Sequence, residues 1–136
     1  MRHRRFSTYF SAFSMYSIIT TGKGELFMDM TTLVRDDKMI IYLSGEIDHH
    51  TARDIREGVD KLIITQRPKT FILDLSGVDF MDSSGLGLVL GRYRKIKETG
   101  GEMFLANADE RTMRILKLAG VDKIIKTVEC STRYSE

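Results

Sequence analysis

The sequence predicts a single α/β domain with a mostly parallel sheet, an antiparallel edge pair and flanking helices. Three observations carry this reading. Strand-like and helix-like segments alternate from about Met30 onward, the pattern of parallel strands joined by crossover helices. Residues 70–75, TFILDL, are apolar at nearly every position, as a strand buried on both faces requires. The chain has 136 residues, 42% of them hydrophobic, enough for one core and too short for a second domain of ordinary size.

The elements come in order along the chain. Residues 31–35 and 39–43 are short β-rich runs separated by Asp36-Asp37-Lys38, which reads as a hairpin at the sheet edge. Over residues 51–64, Ala52, Ile55, Val59, Leu62 and Ile63 fall on one side of an amphipathic helix. Pro68 ends that helix and launches the strand at 70–75. Residues 84–99 form a second helix with Leu86, Val89, Leu90, Tyr93 and Ile96 facing inward, stopped by Gly100-Gly101. Glu102–Ala106 is the next strand. A third helix at 110–119 turns Met113, Leu116 and Ala119 inward and stops at Gly120. The last strand, IIKTV, lies within residues 121–128.

Composition removes several functions. One proline and 11 glycines exclude collagen-like and Pro-rich chains. One cysteine, Cys130, excludes an internal disulfide and any cysteine-based zinc set, which points to a reducing, cytoplasmic setting. The net charge of +2 is too small for direct nucleic-acid binding. Residues 1–29 carry four basic and two acidic side chains, so the excess belongs to this segment and residues 30–136 are formally neutral.

That amino-terminal segment has its own character. Phe6, Tyr9, Phe10, Phe13 and Tyr16 are five of the chain's 12 aromatics. Their spacing suits an aromatic stripe on a helix, and behind Arg2, Arg4 and Arg5 that resembles a membrane-surface anchor. Serines and Thr8 interrupt the apolar run that a secretory signal needs, and the stretch is too short and polar to span a bilayer. The genetic code offers a third reading. Lys23-Gly24-Glu25 can be encoded by AAAGGAGAG, a purine-rich ribosome-binding sequence shortly before Met28. Residues 1–27 are therefore expected to be a translated leader outside the domain, which occupies residues 28–136. The anchor is the second choice and a cleaved signal the third.

Two loops can carry chemistry. Asp79-Phe80-Met81-Asp82-Ser83-Ser84-Gly85-Leu86-Gly87 follows the buried strand and opens a helix, where α/β proteins place functional loops. Asp82 or Ser83 can cap the helix, and Ser84 falls in its first turn. Free N–H groups and the helix dipole favour an anion there, although Asp-Ser-Ser is also an ordinary capping sequence. Gly85 and Gly87 do not complete a dinucleotide fingerprint, because Leu90 stands at the third position. Ser83-Ser84-Gly85 lacks the nucleophile elbow of a serine hydrolase. The other loop, Ser44-Gly45-Glu46-Ile47-Asp48-His49-His50-Thr51-Ala52, precedes the first helix, with Thr51 or Asp48 as its cap. The topology brings it to the same sheet edge, where Asp48 adds negative charge beside Ser84. His49 and His50 alone make a weak metal site, so no metal is expected.

LSGEIDHHTA at residues 43–52, FMDSSGLGLVLGRYRKIKETGGEM at 80–103 and LAGVDKII at 118–125 resemble the anti-sigma factor antagonist family with the STAS fold, and within it the sporulation anti-sigma F branch. The resemblance spans residues 30–128. It implies a non-enzymatic switch without a cofactor of its own. The unphosphorylated antagonist binds an anti-sigma factor that is also a serine kinase, freeing the sigma factor. Phosphorylation of the second serine of D-S-S-G, here Ser84, releases it, and a phosphoserine phosphatase restores it. ATP or ADP belongs to the kinase. Partner contacts are implied for Asp48, His49, His50, Asp82, Ser83, Gly85 and Leu86. The family adds a final helix where this chain ends in the polar residues 129–136. The rival readings are a STAS module that binds a small ligand or regulates a membrane transporter, and a serine hydrolase.

Overall fold

The computed structural model describes residues 4–6, 14–20 and 26–130, with side chains from Met30 to Glu129. Seven strands form one sheet: β1 (Arg4–Phe6), β2 (Ser14–Thr20), β3 (Leu26–Arg35), β4 (Lys38–Ile47), β5 (Thr70–Met81), β6 (Glu102–Ala106) and β7 (Lys126–Cys130). Their spatial order is β1-β7-β6-β5-β4-β3-β2. The β4-β5, β5-β6, β6-β7 and β1-β7 pairs are parallel, whereas β3-β4 and β2-β3 are antiparallel. The expected fold class holds. The β3-β4 hairpin is one strand further in than expected, because residues 14–20 add β2 outside it. Phe6 and Tyr16 fall in strands, not on the helix that the aromatic spacing suggests, and SMYSIIT has the β-branched content that a strand favours. Tyr9, Phe10 and Phe13 lie outside the described residues, as do residues 131–136.

The helices are α1 (His49–Gln66), α2 (Ser83–Glu98) and α3 (Glu110–Leu118), with a short 3₁₀ turn at Val121–Lys123. All three contribute to one large core with the sheet, including Ile55, Val59, Ile63, Val89, Ile96 and Leu116. On the opposite sheet face, Leu33, Ile40, Ile72, Phe104, Ala106 and Val128 form a smaller cluster, drawn from strands among the described residues. That arrangement explains why residues 71–75 are buried throughout: alternate side chains of β5 enter different clusters.

Several expected details change. The fully buried face of α2 is Gly85, Leu88, Val89, Arg92 and Ile96; Leu86 and Tyr93 pack partly buried against the core as expected, and Leu90 is exposed. The stripe is rotated because Gly85 seats the first turn directly on Met81 and Ile47, and because a buried Arg92 occupies a position that an apolar count passes over. In α3, Thr112 takes an inward place while Ala119 lies exposed beyond the last turn. Gly120, at φ 77°, makes the left-handed turn that stops it. α1 ends at Gln66, with Arg67 left-handed ahead of Pro68. The final strand begins at Lys126, since Val121–Lys123 winds into the 3₁₀ turn.

Strand β5 runs to Met81, well past Leu75, and has two extra residues relative to β4. One lies between Asp74 and Gly77, opposite Tyr42 and Ser44, and the other between Val78 and Phe80, opposite Gly45 and Glu46. Such bulges bend a strand and re-aim the residues beyond them. After the second bulge Ile47 pairs with Met81, so both strands deliver their next residue at one edge of the sheet.

Candidate functional site

Those next residues are Asp48 and Asp82, each the N-cap of a helix. Asp82 donates its backbone N–H to the Ile47 carbonyl at 3.3 Å, joining the two helix starts. The Asp48 carboxylate accepts the N–H groups of His50 at 2.9 Å and Thr51 at 3.0 Å. Thr51 accepts the Asp48 N–H at 2.9 Å, completing a capping box, and donates its hydroxyl to the Glu46 carbonyl at 2.8 Å. Both caps expected for this helix are therefore in use. In α2 the cap is Asp82, whose carboxylate accepts the Ser84 N–H at 2.8 Å. Ser83 is the first helical residue and is exposed, so it does not cap.

The loops expected to converge do converge. His49, His50 and Ser83 are exposed, Asp48, Asp82, Ser84 and Leu86 are half-buried, and Gly85 is buried. The Ser84 hydroxyl makes no hydrogen bond among the described residues, while its backbone is fixed by the cap. A β-carbon on Gly85 would collide with Met81 and stand 3.3 Å from Ile47 Cγ2, so only glycine lets the first turn of α2 sit this low. Gly45 has φ 111°, a backbone region that side chains disfavour, at the point where β4 bends toward the loop. Phe80, 48% exposed beside Asp82, is an apolar surface residue of the site that residue types alone do not assign. Its signal is an aromatic between Asp79 and Asp82 at a strand end.

The electrostatics are set mainly by backbone donors. The Thr51 N–H holds the Asp48 carboxyl below its ordinary range, helped by the Thr51 hydroxyl, the His50 N–H and the His50 charge. Asp74, inside β5, is shifted the other way. Burial raises it, although the Ser76 backbone and side chain and the Asn107 amide oppose the shift. The His49 and His50 rings stand 5.6 Å apart in an edge arrangement, and no group of three metal-ligating side chains occurs among the described residues. A cleft of about 330 Å³ is lined by Asn107, Met113, Thr127 and Glu129 among others, and by no residue of either loop. Among the described residues, no helix is long and apolar enough to cross a membrane.

Comparison with known proteins places this geometry. Residues 29–133 match the STAS domain. The chain is 41% identical over 87 residues to the anti-sigma F factor antagonist of Paenibacillus polymyxa, spanning 64% of this chain and 74% of that protein. The unphosphorylated form of the anti-sigma factor antagonist SpoIIAA superposes with a TM-score of 0.67 at 29% identity, covering 76% of this chain and 89% of that one. The phosphorylated form of SpoIIAA, described as a Bacillus cell fate determinant, gives a TM-score of 0.62 at 29% identity, covering 76% and 92%.

Proposed function

Because the chain belongs to the STAS domain family, among its anti-sigma factor antagonists, we propose that it is a regulatory binding protein switched by phosphate on Ser84. The unphosphorylated form binds an anti-sigma factor that is also a serine kinase and so frees a sporulation sigma factor in the cytoplasm. The observation that carries the reading is Ser84 itself. It lies in the first turn of α2 with its backbone capped and its hydroxyl unbonded among the described residues, at the same sheet edge as the Asp48 cap of α1.

That placement supports phosphorylation of Ser84. The Ser84 oxygen bonds to the γ-phosphorus of the kinase's ATP, ADP leaves, and the hydroxyl proton passes to a base of the kinase. The product adds about −1.5 to −2 charges, which the positive end of α2 tolerates. The same charge faces Asp48, Asp82 and the surface of a docked partner, where it weakens association. A phosphoserine phosphatase reverses the step. His49, His50, Ser83 and Phe80 supply outward contact surface, Leu86 borders it, and Gly85 supports it from beneath. Solved forms of a relative with and without phosphate lend weight to this account. Intact-mass measurement after incubation with the cognate kinase and ATP tests it: one phosphate on the wild type and none on Ser84→Ala supports the proposal. Undiminished phosphate on Ser84→Ala overturns it.

A further inference from the structure

We infer that the buried ion pair between Arg92 of α2 and Asp60 of α1 is a positioning pair that sets the register of the two helices and hence the relative placement of the Asp48 and Ser84 turns. Its functional consequence rests on the antagonist reading, whereas its structural consequence does not. Arg92 Nε stands 2.9 Å from Asp60 Oδ1, with the side chains 5% and 21% exposed. Both helices carry this pair beside apolar residues of the same core, Ile55, Val59 and Ile63 of α1 and Leu88, Val89 and Ile96 of α2.

Bulk stability gives such a pair little reason to exist, because apolar side chains of similar volume often serve as well. Here the geometry is also imperfect. The contact lacks hydrogen-bond alignment, and the buried Arg92 Nη1 has no hydrogen-bond partner among the described residues. What the pair supplies is discrimination between registers. Aliphatic ridges of Ile, Leu and Val accept more than one offset, but a guanidinium accepts only the offset that meets a carboxylate. Arg56 sharpens the choice. It lies one turn before Asp60 on α1, and its charge already opposes that of Arg92. A one-turn slip toward it, about 5.4 Å, exchanges attraction for repulsion.

The lever arms are short and stiff. Asp60 is about 18 Å of helix from Asp48, and Arg92 is about 12 Å from Ser84. Both helices are anchored at those ends by Asp48 and Asp82, which the Ile47–Asp82 bond ties together. The cap ends and the ion pair together fix two points along each helix, which defines their mutual orientation.

The test compares the double variant Asp60→Leu/Arg92→Met, the single variant Asp60→Asn and the conservative Arg92→Lys. Melting is recorded first, then amide NMR shifts of His50, Thr51, Ser84 and Gly85, and then affinity for the anti-sigma partner. The double variant is expected to melt cooperatively, to shift those amides and to bind about tenfold more weakly, while Arg92→Lys stays near wild type. If the double variant fails to fold, Asp60→Asn, which keeps the side-chain shape, must show the same amide shifts. Wild-type shifts at all four amides in a folded variant overturn the inference. Shifted amides combined with a wild type that binds no anti-sigma partner uphold the positioning role and overturn the antagonist reading instead.

Discussion

Asp82 gives its backbone N–H to the Ile47 carbonyl at 3.3 Å, so the first residue beyond β5 is bonded to the last residue of β4. This bond sets the N-termini of α1 and α2 side by side. Two capping carboxylates and a serine hydroxyl with no hydrogen bond among the described residues therefore share one edge of the sheet. The loops are far apart in sequence, and the register of β4 with β5 brings them to one edge.

Asp48 has two tasks that substitution can separate. Asp48→Asn keeps an acceptor for the Thr51 and His50 N–H groups and is expected to change stability by only a few tenths of a kcal/mol. Its loss of charge should weaken binding to a basic partner surface by about 1–3 kcal/mol. Asp48→Ala should in addition lose roughly 0.5–2 kcal/mol of fold stability. Titration calorimetry and urea unfolding separate the effects, and unchanged affinity for Asp48→Asn would confine this residue to the cap.

The glycines of α2 are not equivalent. Gly85→Ala drives a methyl group into Met81 and Ile47 and should cost about 1–3 kcal/mol, slowing phosphorylation of Ser84 as the first turn shifts. Gly87→Ala meets nothing within 4 Å and should be neutral or stabilising by up to about 1 kcal/mol. Urea unfolding of both variants checks the contrast. Equal stabilities would mean that the first turn is not seated as described.

Two carboxylates should bend the pH–stability curve in opposite directions. Asp48 lies below its ordinary value of 3.8, so its contribution is present above that value and lost as pH falls through the folded one. Asp74 is raised from 3.8, so its contribution is complete below 3.8 and lost as pH rises through the folded value. Denaturant unfolding across acidic pH should show wild type gaining on Asp48→Asn as pH rises and losing to Asp74→Asn. Curves parallel to wild type would contradict both assignments.

Residues 1–27 remain, in our proposal, outside the STAS domain, since the family match begins at residue 29. The strands they supply, β1 and β2, extend the two outer edges of the sheet. A chain starting at Met28 should melt within a few degrees of the full chain, because residues between Met30 and Ile125 build one large core among themselves. A large drop in melting temperature would assign those edge strands to the domain.

Much of this architecture is legible in the sequence because local chemistry and global fold agree. TFILDL reads as a strand buried on both faces, Asp48 or Thr51 as a helix cap, and Gly120 as a helix stop, and each is so. The continuation of β5 is not legible. Ser76, Asp79 and Phe80 are exposed and two bulges break the alternation by which strands are recognised. The rotation of α2 is hidden too, because the buried Arg92 finds its counter-charge, Asp60, on another helix. A pattern of residue types along one chain does not record which charge will find a partner across a helix pair. The two candidate loops stand out by their capping residues, but their adjacency comes from the register of Ile47 with Met81.

The most direct test of the switch compares partner binding before and after Ser84 carries phosphate. Calorimetry of the unmodified chain, the stoichiometrically phosphorylated chain and Ser83→Ala against the anti-sigma kinase gives the answer in one series. The phosphorylated chain should lose several kcal/mol of binding free energy, with its melting temperature nearly unchanged, and Ser83→Ala should still be phosphorylated and released. Undiminished binding by the phosphorylated chain would contradict the account.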